Sequence, residues 1–192
     1  MDVKTLASAA RKASFQMAAV ADEKRKEALK RFRDALENER EAIFEANQAD
    51  MENARAEGLS EAMLKRLLLD EAKLKSLTRG LEDLEKLKDP VGKVDLKREL
   101  APGLILTRVS CPIGVLGVIF ESRPDALAQI AALCIRSGNC VLLKGGREAA
   151  NSNRTLFEIL KNATCGILPD GWCALMENRE DVNALLEQDG NV

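Results

Sequence analysis

Residues Cys111 to Asn153, CPIGVLGVIFESRPDALAQIAALCIRSGNCVLLKGGREAANSN, leave the chain few folds to choose from. Gly114 to Phe120 is a nearly unbroken apolar run rich in Val and Ile, the pattern of a strand covered on both faces in a parallel sheet. It breaks off at Glu121-Ser122-Arg123-Pro124-Asp125. Pro124 suits the first turn of a helix, where its missing N–H costs nothing, and Asp125 complements the positive helix end. Ala126, Leu127, Ile130, Leu133 and Cys134 recur at spacings of three and four, predicting one apolar helix face. Ser137-Gly138-Asn139 then supplies a glycine for the C′ position. Cys140 to Leu143 reads as a second strand, Lys144-Gly145-Gly146-Arg147 as a turn, and Asn151 to Asn153 as candidate caps of another helix. The order is that of a βαβ unit. It puts two polar loops at the carboxyl ends of parallel strands, where helix N-termini and glycine turns let backbone N–H groups approach a phosphate.

On the amino-terminal side, Val3 to about Leu87 predicts amphipathic packing helices. Leu29, Phe32 and Leu36 mark one face, Ile43, Phe44 and Met51 another, and Leu74, Leu77, Leu81, Leu84 and Leu87 a third. The run Lys24, Arg25, Lys26 and Glu27 reads as a solvated face opposite the apolar stripe. The leucine series is too short for a coiled coil and is broken by Asp89-Pro90. Val94 to Leu100 and Leu104 to Ser110, joined by Ala101-Pro102-Gly103, predict a β-hairpin. Beyond the βαβ unit, Gly166 to Gly171 is a turn, Trp172 to Met176 a short strand and Glu180 to Gln188 a helix. Three parallel strands are few for a doubly wound sheet and leave unpaired edges, so the chain reads as incomplete.

Composition excludes several classes. At 46% hydrophobic and 31% charged the chain is globular rather than disordered. Its 29 basic and 31 acidic residues are well mixed, and one Trp and five Phe make no stacking platform, so nucleic acid is not an expected partner. No window approaches the ~18 apolar residues of a membrane span, and the first residues lack a signal-peptide core, so a cytoplasmic protein is expected. Five cysteines without a CxxC pair, and no histidine, argue against a zinc site and against Ser-His-Asp or Cys-His chemistry within the chain. Cys134 and Cys140 read as small buried hydrophobes, and Cys111, Cys165 and Cys173 are read the same way.

Gly114 and Gly117 do not make a GxGxxG fingerprint, and no GxxxxGK[ST] is present. Lys144-Gly145-Gly146-Arg147 fits either a phosphate or nucleotide contact, with Lys144 as a point charge and Arg147 as a planar fork, or a tight turn with surface charges. Arg123 suits a grip on a substrate carboxylate or phosphate, or an ion pair with Glu121 or Asp125.

Taken together, Pro112 to Asp125, Ser137-Gly138-Asn139, Leu142 to Gly146 and Asn151-Ser152-Asn153 closely resemble the gamma-glutamyl phosphate reductases of the aldehyde dehydrogenase superfamily. Glu45-Ala46-Asn47, Asp50 and Leu87 to Gly92 extend the resemblance over essentially the whole chain. It implies an α/β fold: N-terminal helices (1–88), a β-hairpin resembling the superfamily's oligomerisation strands (94–110), and part of a Rossmann-like parallel sheet (112–192). Together these would form a partial NADP-binding domain without the catalytic domain. The implied activity is NADPH-dependent reduction of L-glutamyl 5-phosphate to L-glutamate 5-semialdehyde in proline biosynthesis, through a cysteine thioester that hydride then reduces. Lys144, Gly145, Gly146 and Arg147 would bind the cofactor. Arg147 stands where the superfamily has a ribose-binding glutamate, which argues for a 2′-phosphate and hence NADP(H). Ser122 and Arg123 would meet the substrate; Ser122 would help an oxyanion hole or, alternatively, cap the helix. The family's Gly-Thr-Cys-Asn-like nucleophile setting matches none of the five cysteines, so the chain alone is expected to lack reductase activity. A homo-oligomer and a functional link to glutamate 5-kinase are also implied. A short non-catalytic nucleotide-binding or regulatory subunit, another aldehyde or acyl-phosphate dehydrogenase, and a segment of a bifunctional kinase–reductase are the alternatives. The start at Met1-Asp2 weighs against the last.

Overall fold

A computed structural model describes residues 2–192. Five helices come first: α1 (Val3–Met17), α2 (Asp22–Asn38), α3 (Arg40–Ala56), α4 (Glu61–Leu67) and α5 (Glu71–Lys86). Asp2, Ser60 and Asp70 cap α1, α4 and α5, each accepting the backbone N–H three residues on. The hairpin follows as β1 (Val94–Ala101) and β2 (Leu104–Val109), antiparallel and forming a sheet of their own. The βαβ region comprises β3 (Val115–Ile119), α6 (Pro124–Ser137), β4 (Cys140–Lys144), a 3₁₀ turn (Arg147–Ala149), α7 (Ala150–Thr164), β5 (Cys173–Met176) and α8 (Asp181–Leu186).

The second sheet is parallel in the order β3-β4-β5, with Val115 opposite Cys140 and Val141 opposite Cys173. Every residue of β4 is buried, as its central place requires. Helices α1 and α8 pack together, with α1 lying along the sheet, while α6 and α7 pack on each other and are backed by α2, α3 and α5. The approach of α8 depends on Gly117: a Cβ there would stand 2.8 Å from Leu185 Cδ2. Pro124 occupies the first turn of α6, and Gly138 ends it with φ +71° in the left-handed region that favours glycine.

Several expectations need correcting. Leu133 is 58% exposed, because α6 buries the face carrying Leu127, Ala128, Ala131 and Ile135 instead. Leu87 is likewise exposed, one residue past the end of α5. Arg25 does not belong to a solvated face. It is buried, donating from Nη1 to Arg136 O at 3.0 Å and from Nη2 to Asp89 Oδ2 at 2.7 Å. Arg136, also buried, pairs with Asp22 and donates to Leu87 O at 2.6 Å. This cluster pins the ends of α5 and α6 to α2. It also holds the base of the hairpin, since Asp89 accepts Val91 N–H at 2.9 Å and Ser110 Oγ donates to Pro90 O at 2.6 Å.

Candidate functional site

The loops after β3 and β4 meet at the carboxyl end of the sheet. Phe120 N–H donates to Lys144 O at 3.0 Å, extending the strand ladder into the loops. A Cβ on Gly146 would lie 2.6 Å from Ser122 Oγ, and one on Gly145 would lie 2.3 Å from Asn153 Nδ2. The two glycines are therefore demanded by loop-on-loop packing. The space they free is filled by Ser122, Phe120 and Asn153.

Ser122 Oγ donates to Glu148 Oε2 at 2.7 Å. That bond is the chief cause of the lowered Glu148 pKa, with the residue's own backbone N–H, Arg147 and Lys144 acting the same way against partial burial. An ionised carboxylate only accepts, so the single Ser122 proton points across the gap between the loops. Ser122 does not cap α6. Arg123 occupies that position, with no side-chain capping bond.

Arg123 Nη2 lies 2.9 Å from Asp125 Oδ2, so the guanidinium is paired within its own turn, while Glu121 reaches Arg66 instead. Lys144 is buried, and its ammonium donates to Gly145 O at 2.6 Å. Arg147 differs: its side chain is 78% exposed, and its Nη2 lies 3.0 Å from Glu57 Oε2 at the end of α3. Arg147, Glu57, Glu148, Asn53 and Asn151 line a cleft of about 260 Å³ between α3 and the 3₁₀ turn.

The first turn of α7 is closed to an outside anion. Asp50, 2% exposed, accepts Asn151 N–H at 3.1 Å, Ser152 N–H at 2.8 Å, Asn151 Nδ2 at 2.9 Å and Ser152 Oγ at 2.6 Å. This remote carboxylate replaces the local caps expected of Asn151 to Asn153, and the helix opens at Ala150 without a side-chain cap of its own. Asn47 extends the network, donating to Leu67 O at 2.9 Å and Ser152 Oγ at 3.1 Å and accepting Leu69 N–H at 2.7 Å. A signal for this lay in the sequence: Ile43, Asn47, Asp50, Met51 and Ala54 share one buried helix face, and two of them are polar. Asn153 is 3% exposed, and its Oδ1 has no hydrogen-bond partner. It borders a small cleft with Gly145, Gly146, Leu175, Met176 and Glu177 at the ends of β4 and β5.

The five cysteines are free thiols. Burial pushes Cys134 and Cys140 up to about 12, and Cys173 rises for the same reason. Cys111 and Cys165, expected to be buried, are exposed on loops, and Cys173 is only half-buried. Among the described residues no group of three or more His, Cys, Asp or Glu is arranged to hold a metal, and no helix is long and apolar enough to cross a membrane.

A parallel βαβ sheet with polar loops converging at its carboxyl edge defines a class, and the family model described as "Aldehyde dehydrogenase family" matches residues 1–192. The chain belongs to the aldehyde dehydrogenase family, whose members use NAD or NADP. Within it, the chain is 47% identical over 190 residues to Gamma-glutamyl phosphate reductase of Ruminiclostridium cellulolyticum, covering 98% of this chain and 44% of that protein. It is 49% identical over 188 residues to the protein of the same name from Natronomonas pharaonis, covering 96% of this chain and 43% of that protein. The crystal structure of Gamma-glutamyl phosphate reductase from Saccharomyces cerevisiae superposes with a TM-score of 0.93 at 40% identity, over 100% of this chain and 50% of that one. The Thermotoga maritima structure of the same name gives 0.95 at 30% identity, over 100% and 47%. The chain thus spans less than half the length of the curated relatives it matches, and fits their N-terminal portion.

Proposed function

We propose that this chain is the cofactor-holding, amino-terminal part of an NADPH-dependent reductase that converts L-glutamyl 5-phosphate to L-glutamate 5-semialdehyde in proline biosynthesis. The observation that carries the reading is a likeness to gamma-glutamyl phosphate reductases that runs the full length of the chain. The residues at the sheet edge fit a phosphorylated dinucleotide. Arg147 presents an exposed guanidinium with donors to spare, Lys144 supplies a second cation, and the buried Asn153 Oδ1 lacks a donor partner. Arg147 would hold the 2′-phosphate, with Lys144, Gly145 and Gly146 following the nucleotide. When bound, NADPH supplies the hydride that reduces the acyl carbon.

Ser122 and Arg123 would face the substrate from the neighbouring loop. To steady a developing oxyanion, Ser122 must redirect the proton it now gives Glu148, and Arg123 must share its fork between Asp125 and an incoming anion. The cysteine nucleophile would belong to a later catalytic domain, since burial pushes the Cys134, Cys140 and Cys173 thiols up, and Cys111 and Cys165 precede β3 and β5, at the opposite end of the sheet from these loops. Purified chain should therefore give no phosphate-dependent oxidation of glutamate semialdehyde, and turnover by the chain alone would contradict that assignment. We further propose a homo-oligomer built through the β1–β2 hairpin, and a functional link to the glutamate 5-kinase that would make the substrate. We assign the protein to the cytoplasm on the strength of its free thiols.

Titration of the chain with NADPH and NADH tests the cofactor reading. Arg147→Glu should weaken NADPH at least about tenfold, the scale of a lost charge-assisted phosphate contact, and leave NADH nearly unchanged. Equal losses for both nucleotides would refute a discriminating role.

A further inference from the structure

We infer that Glu57 is a built-in competitor for the anion that Arg147 binds, and so a determinant of how strongly the site prefers a 2′-phosphorylated nucleotide. The inference rests on the reading of Arg147 as a phosphate contact and adds to it a residue from the far wall of the cleft.

Three observations support it. First, the cleft between α3 and the 3₁₀ turn has one cationic wall, Arg147, faced by two carboxylates, Glu57 and Glu148. Glu148 is engaged by the Ser122 hydroxyl, which leaves Glu57, at 3.0 Å, as the partner of the guanidinium. Second, among the described residues no other cationic group lines this cleft: Asp50 takes the Asn151 and Ser152 N–H groups, and Lys144, which donates to Gly145 O, is not among the lining residues. An anion entering this cleft therefore has Arg147 as its cationic contact and meets Glu57 already in place. Third, Glu57 sits at the C-terminal end of α3, where the helix carbonyls disfavour a negative side chain. Stabilising its own helix is therefore a poor account of a carboxylate at this position.

A phosphomonoester must displace Glu57 from Arg147 or share the guanidinium with a like charge beside it. A ribose bearing only hydroxyls meets neither obstacle. Exposed ion pairs of this kind are weak, so Glu57 should moderate phosphate binding without abolishing it.

The test is calorimetric titration of the 192-residue chain with adenosine 2′-monophosphate and with adenosine, using wild type, Glu57→Gln, Arg147→Gln and the double variant. Glu57→Gln should tighten adenosine 2′-monophosphate about two- to fivefold and leave adenosine unchanged, and the gain should vanish in the Arg147→Gln background. If wild type does not distinguish the two ligands, the Arg147 reading fails and the inference falls with it. If wild type prefers the phosphorylated ligand through Arg147 but Glu57→Gln leaves that preference unchanged or lowers it, the inference alone is overturned.

Discussion

Asp50→Ala should be among the most damaging single changes at this sheet edge, and its cost can be worked from the geometry. The carboxylate accepts four bonds, two from backbone N–H groups in the first turn of α7 and two from the Asn151 and Ser152 side chains. A lost helix cap costs about 1 kcal/mol, and a charge-assisted bond contributes about 1.5–3 kcal/mol. The four bonds share one carboxylate and do not add, and part of their strength is offset by stripping water from a group left 2% exposed. The expected loss is about 3 kcal/mol, or roughly 6–12 °C in Tm for a chain of this size. Asp50→Asn keeps the shape but turns an amide N–H₂ toward N–H donors, so it should cost about 2 kcal/mol. Urea unfolding followed by far-UV circular dichroism at neutral pH measures both. If Asp50→Ala lost less than about 1 kcal/mol, the remote cap would be incidental and α7 would be held by its apolar face alone. Pairing Asp50→Ala with Ser152→Ala sharpens the test, because bonded partners should show a coupling energy and independent sites should not.

Three further outcomes are expected. Glu148 has its folded pKa lowered from 4.5 chiefly by Ser122, so the stability this bond contributes is present above that pH and is lost as pH falls through the lower folded value. The stability gap between wild type and Ser122→Ala should thus hold steady near neutrality and close in acid; a gap that widens on acidification would contradict the bond. Gly146→Ala has no backbone strain to fear at φ −63°, yet its Cβ would sit 2.6 Å from Ser122 Oγ and 3.2 Å from Ser122 N. It should cost about 1–3 kcal/mol and raise the folded pKa of Glu148, measurable by carboxyl NMR titration, and an unshifted Glu148 would mean the loops do not touch there. Iodoacetamide near neutral pH should label Cys111 and Cys165 in the native chain and reach Cys134 and Cys140 only on unfolding. Rapid native labelling of Cys134 or Cys140 would count against the packing of α6 on β4.

The βαβ core was legible because its boundaries are punctuated locally: Pro124 opens α6, Gly138 closes it, and the apolar run after it is the fully covered strand β4. The expectation of cover on both faces fails for β3, which lies at the sheet edge with Val115 buried and Ile119 exposed. What the sequence hid were features settled by partners far along the chain. Arg25 sits in a run of charges that looks solvated, and only the arrival of Asp89 and Arg136 explains its burial. The cap of α7 comes from a residue about a hundred positions upstream, so no inspection of Asn151 to Asn153 would reveal it. At the site, the glycine pair reads in the sequence as either a phosphate contact or a tight turn; in the structure the neighbouring loop and Asn153 pack against it, a contact no local pattern shows. Periodicity also misplaced Leu133 and Leu87, since a stripe of threes and fours does not say which edge of the stripe lies outside the core.

The β1–β2 ribbon stands apart from the main sheet, with Leu96, Leu104, Ile105 and Val109 among its exposed side chains. Two strands without a covered face are marginal in water, so if the proposed homo-oligomer forms through this ribbon, its cohesion would be set by mass action as much as by its own residues. Its amide protons should exchange quickly in dilute solution and, on the proposed association, slow as concentration rises, while those of β4 remain protected throughout. Under that proposal, one sheet would report intrinsic stability and the other would act as a gauge of how crowded the molecule is by its own kind.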